Sequence, residues 1–218
     1  MLRESKLGRL YLQWVESGPT ALLHRKAFQP NHLTFSALFF SVLVIPAFLH
    51  SFWLGGLALL FAGLLDTLDG ALARKAGQSS PSGAFLDSVL DRASDFVIYL
   101  GLWAALILRV PRLSLWVTLL IFFCIQGSYL VSYARARGEG LGVSTSAGVF
   151  GRAERLVTLG LGSIVNDLLR MVWPHRPWLE QQGFILGLLL LLALGVHLSA
   201  LQRVVNVFRQ LKRPISNR

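Results

Sequence analysis

Charged residues are scarce in this sequence of 218 residues. Only 15% are Asp, Glu, Lys or Arg, whereas 54% are hydrophobic and the mean hydropathy is +0.57. A water-soluble domain of this length needs more charge to cover its surface. The composition therefore excludes an ordinary soluble globular protein and is typical of a polytopic membrane protein with one membrane domain.

Cysteine is almost absent as well, because Cys124 is the single one and lies in an apolar run. One cysteine excludes an internal disulfide, and its apolar surroundings in the sequence indicate a buried thiol. The five histidines are scattered and show no spacing typical of metal ligands. We therefore expect neither a disulfide framework nor a metal centre built on Cys or His.

Acidic residues are the scarcest charged type, with 11 against 21 Lys and Arg, and they are concentrated in one stretch. Within 30 residues the chain has Asp66, Asp69, Asp87, Asp91 and Asp95. The first two are spaced i, i+3 and the next two i, i+4, so on helices each pair lies on one face. Their neighbours are Leu, Phe, Ala and Val, which argues against an ordinary solvated acidic surface.

The two acidic pairs flank a short connector, Lys75–Ser82, that is rich in Gly, Ser and Pro. This composition predicts a turn, which would make the flanking helices antiparallel neighbours and bring four carboxylates together. Converging carboxylates repel one another unless cations lie between them. All-oxygen ligands suit Mg²⁺, Mn²⁺ or Ca²⁺ better than Zn²⁺, so we expect a divalent metal site in which two ions share the carboxylates. The alternative is a structural ion-pair network of the aspartates with Arg74 and Arg92.

Apolar runs of membrane-spanning length recur along the chain. A helix needs about 20 residues to cross a bilayer, and six runs approach or exceed this length: Leu33–His50, Trp53–Arg74, Ala84–Leu108, Leu113–Tyr133, Phe150–Val172 and Trp178–Val207. Residues 1–28 instead mix charges with Leu, Tyr and Trp at helical spacing, which predicts an amphipathic helix in the membrane interface, interrupted near Gly18-Pro19. The expected fold is all-α, with an interfacial helix over residues 1–28 and six transmembrane helices over residues 29–218.

Lys and Arg are sorted by side of the membrane in this arrangement. Sixteen of the 21 fall in the N-terminus, the Arg74–Ser82 turn, the Arg135–Arg155 region and the C-terminus, four fall on the other side, and Arg92 lies within the third span. The positive-inside rule then places both termini and the acidic stretch on the cytosolic side of the cell membrane. The net charge of +10 thus indicates membrane topology, with affinity for anionic lipids and phosphorylated substrates rather than for nucleic acid.

The acidic stretch also carries a signature of fixed spacing. It reads Asp66-x2-Asp69-Gly70-x2-Ala73-Arg74-x8-Gly83-x3-Asp87-x3-Asp91 and resembles, position for position, the motif of the CDP-alcohol phosphotransferase family. The resemblance implies an integral membrane enzyme, a homodimer, that transfers a phosphatidyl group from CDP-diacylglycerol to an alcohol and releases CMP. It also implies dependence on Mg²⁺ or Mn²⁺, with two ions at the site.

The resemblance further implies roles for individual residues. Asp66, Asp69 and Asp87 would bind metal, and Asp91 would contact metal and act as the general base that deprotonates the acceptor hydroxyl. The CDP site would be lined by Gly70, Ala73, Arg74 and Gly83, and by Asn31 and Thr34 of a Pro30-Asn31-x2-Thr34 sequence similar to one that the family often carries. A plain helix N-cap at Asn31 is the alternative for that sequence.

A second polar block, Ser132–Arg155, holds several arginines that are expected on the cytosolic side. They suit a phosphorylated acceptor, because Arg grips phosphate with paired donors, although they are equally consistent with topology markers alone. The block resembles the SYxKAR and RxER sequences of prokaryotic phosphatidylinositol phosphate synthases, with Arg135 where Lys is usual. The resemblance implies inositol phosphate as the acceptor, its phosphate held by Arg135, Arg152, Arg155 and Arg203.

Other functions remain open from the sequence. Glycerol 3-phosphate also carries a phosphate, so the arginines do not distinguish it from inositol phosphate. A membrane prenyltransferase also uses Asp-rich Mg²⁺ sites, but usually with two separated motifs in a larger helical bundle. A cation transporter would place its carboxylates near the middle of the membrane, whereas these lie at helix ends beside a basic turn.

Overall fold

The computed structural model of this protein describes residues 6–25, 30–77, 80–144, 148 and 150–212. All the secondary-structure elements assigned within these ranges are helices, which confirms the all-α prediction. A short 3₁₀ turn, Pro111–Leu113, precedes the sixth α-helix. The α-helices in chain order are α1 (Lys6–Ser17), α2 (Pro19–Arg25), α3 (Pro30–His50), α4 (Phe52–Lys75), α5 (Pro81–Arg109), α6 (Ser114–Gly140), α7 (Arg152–Val172), α8 (Pro177–Glu180) and α9 (Gly183–Leu211).

The predicted turn between the two acidic helices is present. Helix α4 ends at Lys75, and Gly77 beyond it has a φ of 64°, a left-handed conformation that glycine adopts without strain. Helix α5 begins at Pro81, whose fixed φ suits the first turn, and the hydroxyl of Ser80 accepts the Gly83 N–H at 3.1 Å. Local chain chemistry therefore sets where both acidic helices stop and start.

Three helical segments are long and apolar enough, by length and composition, to cross a membrane: Phe52–Lys75, Pro111–Gly140 and Gly183–Leu211. The six spans expected from the sequence correspond to α3, α4, α5, α6, α7 and α9. The start of the last one, expected at Trp178, is wrong, because Trp178 belongs to α8 and α9 begins at Gly183, after Gln182 in a left-handed conformation. Helices α5 and α7 are less apolar because each carries several charged residues, and the apolar part of α3 is short. The full count of six spans remains a prediction.

The helices pack around a large apolar core, and a smaller apolar cluster joins α1, α3 and α4. Helix α3 packs against both α4 and α5, α4 packs against α7, and α6 packs against α9. Helices α4 and α5 are not among the extensively packed pairs in the described part of the chain, so the expectation that they are close neighbours is wrong along most of their length. The centre of the core is formed by large, fully buried side chains: Phe48, Phe52, Leu59, Ile98, Leu102, Leu106, Leu159, Ile185, Leu189 and Leu192.

Of the predicted N-terminal segment, residues 1–5 and 26–28 lie outside the described residues, and the described part forms two helices with the expected interruption at Gly18-Pro19. Its position in the membrane interface remains a prediction. Val15 of α1 is buried against Leu68 and Leu72 of α4, whereas the neighbouring Trp14 is 55% exposed. The ε-amino group of Lys75 donates to the backbone carbonyl of Glu16 at 3.4 Å. Helix α1 is thus attached to the end of α4 that carries the first acidic pair.

Helices α4 and α7 cross in close contact through two glycines. A Cβ atom on Gly56 would lie 2.5 Å from the carbonyl oxygen of Gly160 and 2.9 Å from Cγ1 of Ile164. A Cβ atom on Gly160 would lie 2.7 Å from Cγ of Leu60. Small residues at such a crossing let two backbones approach within a membrane, and this crossing sets the separation of α4 from α7.

We predict that Gly56→Ala forces α4 and α7 apart and lowers the free energy of unfolding by about 1–3 kcal/mol. The matched control is Gly63→Ala, on the same helix two turns later, where the nearest atom to an added Cβ is Cδ1 of Leu156 at 3.7 Å. Thermal unfolding in detergent should show a lower midpoint for Gly56→Ala and an unchanged or higher one for Gly63→Ala. Equal midpoints for the two variants would contradict the close crossing.

Candidate active site

Three carboxylates meet at one end of the helix bundle. Asp66 lies near the C-terminal end of α4, and Asp87 and Asp91 lie one turn apart in α5. One oxygen from each carboxylate lies within 4.8 Å of those of the other two. Asp66 and Asp91 are half-buried and Asp87 is exposed, so the group faces an opening at the helix ends.

The sequence predicted a convergence of four carboxylates, and the structure brings together three. Asp69 lies on α4, three residues after Asp66, and is 5% exposed, but it is not part of the group within 4.8 Å. A helix rises about 1.5 Å per residue, so Asp69 is displaced along the axis by most of a turn. Its role as a metal ligand remains a prediction.

Arg152 supplies a positive charge between the two acidic helices. Its Nη1 donates to Oδ2 of Asp66 at 2.6 Å and lies 2.7 Å from Oδ1 of Asp91. Its Nε donates to Oδ1 of Asp95 at 3.2 Å. This residue begins α7, so a third helix joins α4 and α5 at the acidic group.

Asp95 belongs to the acidic stretch of the sequence, which gave it no role, and the structure places it in the ion-pair network of the site. It lies one turn after Asp91 and two turns after Asp87, so the three form an i, i+4, i+8 row on one face of α5, a pattern visible in the sequence. Its Oδ2 accepts from Nη2 of Arg155 at 2.7 Å, and both residues are buried. Buried charges of this kind require a partner of opposite charge, and Asp95 and Arg155 are partners of each other.

The expected ion-pair network has a different composition from the one considered in the sequence. Arg92 does contact Asp91, with 3.2 Å between Nη1 and Oδ2. Arg74 instead lies 3.8 Å from Glu16 of α1, and both of these side chains are mostly exposed. The charges facing the aspartates therefore come chiefly from Arg152 and Arg155, which are more than 50 residues away along the chain.

The donor set at this end fits a hard divalent cation. The three converging ligands are all carboxylate oxygens, which Mg²⁺ and Mn²⁺ prefer. The position between Asp66 and Asp91 accommodates a cation, because Arg152 directs its guanidinium there. These residues are therefore able to hold the metal that the sequence indicated.

Of the other predicted arginines, Arg155 contacts Asp95, whereas Arg135 and Arg203 contact groups outside the acidic group. Nη1 of Arg203 donates to the carbonyl of Val131 at 3.0 Å, and Nε of Arg135 donates to Glu139 at 2.8 Å. The charges of Arg135, Arg155 and Arg92, and the opposite charge of Glu139, lie near enough to act on Arg203. Arg135, Arg155 and Arg203 thus form a basic group from α6, α7 and α9, whereas Arg152 lies on the acidic side.

The residues expected to line the CDP site occupy the ends of α4 and α5. Gly70 and Ala73 are half-buried on α4, Arg74 is exposed, and Gly83 is exposed in the first turn of α5. A Cβ atom on Gly70 would lie 3.4 Å from Nη1 of Arg74. Asn31 and Thr34 belong to the first turns of α3, but their side chains lie outside the described residues.

Comparison with known protein families identifies one match. A family model described as CDP-alcohol phosphatidyltransferase matches residues 27–202. This range includes the carboxylates of α4 and α5 and the arginines that begin α7. It ends within α9, at Gln202.

Several named proteins are similar to this chain. An archaetidylinositol phosphate synthase from Methanothermobacter thermautotrophicus is 31% identical over 189 residues, which are 86% of this chain and 87% of that protein. A phosphatidylinositol phosphate synthase from Mycobacteroides abscessus is 36% identical over 160 residues, 71% of this chain and 70% of that protein.

Solved structures are similar as well. The phosphatidylinositol phosphate synthase of Mycobacterium tuberculosis with CDP-DAG bound has a TM-score of 0.71 and 29% identity, covering 88% of this chain and 93% of that one. A second crystal structure of that enzyme, in complex with manganese and citrate, has a TM-score of 0.71 and 28% identity and covers 88% of each chain.

The contacts of Arg152 predict a change in metal-dependent stability. Arg152→Gln leaves Asp66, Asp91 and Asp95 without their shared cation, so the metal-free protein should lose about 3 kcal/mol of stability. Mg²⁺ should then raise the thermal unfolding midpoint of the variant more than that of the wild type, because the ion replaces the missing charge. Arg92→Gln is the control, since Arg92 contacts Asp91 alone among the described acidic residues. Equal Mg²⁺-induced shifts in all three proteins would contradict the prediction.

Proposed function

This chain belongs to the CDP-alcohol phosphatidyltransferase family, and we propose that it transfers a phosphatidyl group from CDP-diacylglycerol to inositol phosphate, releasing CMP. It is an integral membrane, metal-dependent transferase of phospholipid synthesis. The observation that carries the proposal is the adjacency of two oppositely charged half-sites. Ion pairs connect the two groups: Arg152 contacts Asp66 and Asp91 of the acidic group and also Asp95, and Asp95 contacts Arg155 of the basic group formed by Arg135, Arg155 and Arg203.

The acidic half-site suits the donor. Asp66, Asp69, Asp87 and Asp91 would hold two divalent ions, Mg²⁺ or Mn²⁺, which when bound neutralise the diphosphate and stabilise charge on the leaving CMP.

Asp91 is the proposed general base. Its carboxylate lies within the acidic group, and Arg152 and Arg92 contact its two oxygens, which orients the side chain. In the reaction the acceptor hydroxyl oxygen bonds to the lipid-side phosphorus while the bond from that phosphorus to the bridging oxygen of CMP breaks. The hydroxyl proton passes to the Asp91 carboxylate. The electron pair of the broken bond leaves with CMP.

The nucleotide would lie over the face of α4 that carries the acidic pair. Asp66, Asp69, Gly70 and Ala73 share one face by helical periodicity, and Arg74 borders it. We propose that Gly70, Ala73, Arg74 and Gly83 line the CDP site, together with Asn31 and Thr34 at the start of α3. The missing side chain at Gly70 would let the nucleotide approach the helix backbone.

The basic half-site suits a phosphate on the acceptor. Arg135, Arg155 and Arg203 bring like charges together from three helices, an arrangement that an anion stabilises. When Asp66 and Asp91 bind metal in place of the Arg152 guanidinium, Arg152 would join these three arginines in binding the phosphate. The similarity to synthases of phosphatidylinositol phosphate and archaetidylinositol phosphate favours inositol phosphate. Glycerol 3-phosphate is the second candidate, because the same arginines suit its phosphate.

The reaction also requires a defined position in the membrane. We propose that α3, α4, α5, α6, α7 and α9 all span the bilayer as one domain over residues 29–218, and that residues 1–28 lie in its interface. The exposed Leu10, Tyr11 and Trp14 of α1 support the interfacial position. The positive-inside rule supports a site and termini on the cytosolic side of the cell membrane, where soluble acceptors are available.

The family resemblance also implies a homodimer. Large apolar side chains on α6, including Trp116, Phe122 and Phe123, are exposed in the single chain and would face lipid or a second copy. Light scattering on the detergent-solubilised protein should give the mass of two chains; a mass of one chain at micromolar concentration would exclude a stable dimer.

We predict the sidedness of two single-cysteine variants. In a Cys124→Ser background, His175→Cys should react with a membrane-impermeant maleimide on intact cells, because the α7–α8 turn faces outward. Ser17→Cys should react only after the membrane is opened. Both positions are exposed in the structure, so burial would not explain a lack of labelling. Labelling of Ser17→Cys on intact cells would contradict the proposed orientation.

We predict that purified protein with CDP-diacylglycerol and Mg²⁺ releases CMP only when an acceptor is added. The value of kcat/KM for inositol phosphate should exceed that for glycerol 3-phosphate by at least about tenfold, which corresponds to about 1.4 kcal/mol. Serine and unphosphorylated inositol should be poor acceptors, because they leave the arginines without a phosphate. Faster turnover of glycerol 3-phosphate would contradict inositol phosphate as the acceptor but would agree with the proposed class of reaction.

Controls for this assay are available in the chain. Asp91→Asn removes the base and should lower the rate by about 10²-fold or more. Asp167→Asn changes a carboxylate at the opposite end of the bundle and should retain the activity. Removal of divalent metal with a chelator should abolish CMP release. Undiminished activity of Asp91→Asn would exclude Asp91 as the base.

A further inference from the structure

Asp95 binds two arginines with its two oxygens. Oδ1 accepts from Nε of Arg152 at 3.2 Å, and Oδ2 accepts from Nη2 of Arg155 at 2.7 Å. The carboxylate is 5% exposed and Arg155 is 3% exposed, so water does not share these contacts to any large extent. Charged groups that are both buried and hydrogen-bonded are held firmly in position, because any movement leaves a charge without a partner.

The two arginines serve different sides of the site. Arg152 extends from Asp95 toward Asp66 and Asp91, the acidic half-site. Arg155, the partner of Asp95, acts electrostatically on Arg203, whose other positive neighbours are Arg135 and Arg92. Asp95 is therefore the one acidic residue in the described ion pairs that contacts both an arginine of the acidic half-site and an arginine of the basic half-site.

We propose that Asp95 is a positioning residue that sets the separation between the donor and acceptor half-sites by holding Arg152 and Arg155 side by side. The inference rests on the proposed function, since it takes the basic group as the site of the acceptor phosphate. Transfer requires the acceptor hydroxyl to approach the lipid-side phosphorus in line, so a small displacement of the bound acceptor has a large effect on rate. Asp95 itself contacts neither substrate.

Removal of the Asp95 carboxylate has a separate consequence for each half-site. Arg155 would be a buried cation close to Arg203 without a counter-charge, so it would shift and the acceptor phosphate would bind more weakly. Arg152 would lose one of its three carboxylates and would interact more strongly with Asp66 and Asp91. Metal ions would then compete with a more strongly held guanidinium, and their affinity would fall.

A matched carboxylate exists at the other end of α7. Oδ2 of Asp167 on α7 accepts the backbone N–H of Trp53 at 2.8 Å, which connects α7 with the start of α4. Asp167 also lies 3.9 Å from Arg170 in its own helix. It therefore stabilises helix packing, as Asp95 does, but it lies far from the acidic group. A purely structural role predicts similar effects for changes at the two positions.

The experiment compares Asp95→Asn, Asp95→Glu and Asp167→Asn with the wild type in the full-length, detergent-solubilised protein. Initial rates of CMP release give the KM for inositol phosphate at saturating CDP-diacylglycerol and the KM for the donor at saturating acceptor. Electron paramagnetic resonance gives the Kd for Mn²⁺ without any substrate. Thermal unfolding reports stability. Asp95→Glu keeps the charge but adds one methylene, so it displaces both arginines without leaving either unpaired.

We expect both Asp95 variants to raise the KM for inositol phosphate by about tenfold or more, the effect of disturbing one charge-assisted hydrogen bond. The KM for the donor should change by less than about threefold. Asp95→Asn should also weaken Mn²⁺ binding several-fold. Asp167→Asn should lower the unfolding midpoint and leave both KM values and the Mn²⁺ affinity unchanged.

Four results would overturn the proposal. A wild-type acceptor KM in Asp95→Glu would show that the charge suffices and that position is unimportant. If the Asp95 variants change the donor and acceptor KM equally, and Asp167→Asn changes them in the same way, the role of Asp95 is structural. Loss of folding in both Asp95 variants, while Asp167→Asn folds, would also indicate a structural role. If the wild type uses no phosphorylated acceptor, the proposed function fails, and the Mn²⁺ titration then decides on its own: an unchanged Kd in Asp95→Asn would overturn the role of Asp95.

Discussion

The ion pairs of Arg152 determine how the acidic end of this bundle is arranged. Helices α4 and α5 are not extensively packed against each other in the described part of the chain, so apolar contacts between them do not set the separation of Asp66 and Asp91. The guanidinium of Arg152 contacts both carboxylates and also Asp95. Since Arg152 begins α7, and α7 is held to α4 by the close crossing at Gly56 and Gly160, the packing of the core defines where that cation lies.

The few charges of this chain have two kinds of partner, and the difference separates structure from chemistry. At the end of the bundle away from the acidic group, the partners include backbone groups: Asp167 accepts the N–H of Trp53, and Arg109 donates to the carbonyls of Leu49 and His50. Such contacts close helix ends, which have unsatisfied backbone groups. At the acidic end the partners are other charged side chains that converge on one opening. Bringing charged side chains together in this way costs free energy, and such clusters are typical of sites where a bound ion or substrate offsets that cost.

Adjacent half-sites of opposite charge give the proposed reaction its selectivity for substrates. A diphosphate donor requires metal to approach the carboxylates, whereas a phosphorylated acceptor is attracted directly by arginines. Two anionic substrates can therefore bind side by side without repelling each other strongly. Asp95 lies between the half-sites and is paired with an arginine of each. The electrostatic arrangement thus extends beyond the signature residues of α4 and α5 to the first turn of α7.

The sequence by itself determined the helices and the turn between the acidic pairs. It also identified the carboxylates that are candidates for metal binding. These features depend on neighbouring residues: apolar runs, Ser80-Pro81 at a helix start, and aspartates at helical spacing. Only the tertiary structure decided which charges meet, that Asp69 stands apart from the group, and that Arg152 contacts carboxylates. The partners Arg152 and Asp66 are 86 residues apart, and Arg155 and Asp95 are 60 apart. Periodicity sets the face of a helix on which a residue lies, but the contacts of that face depend on how the helices pack.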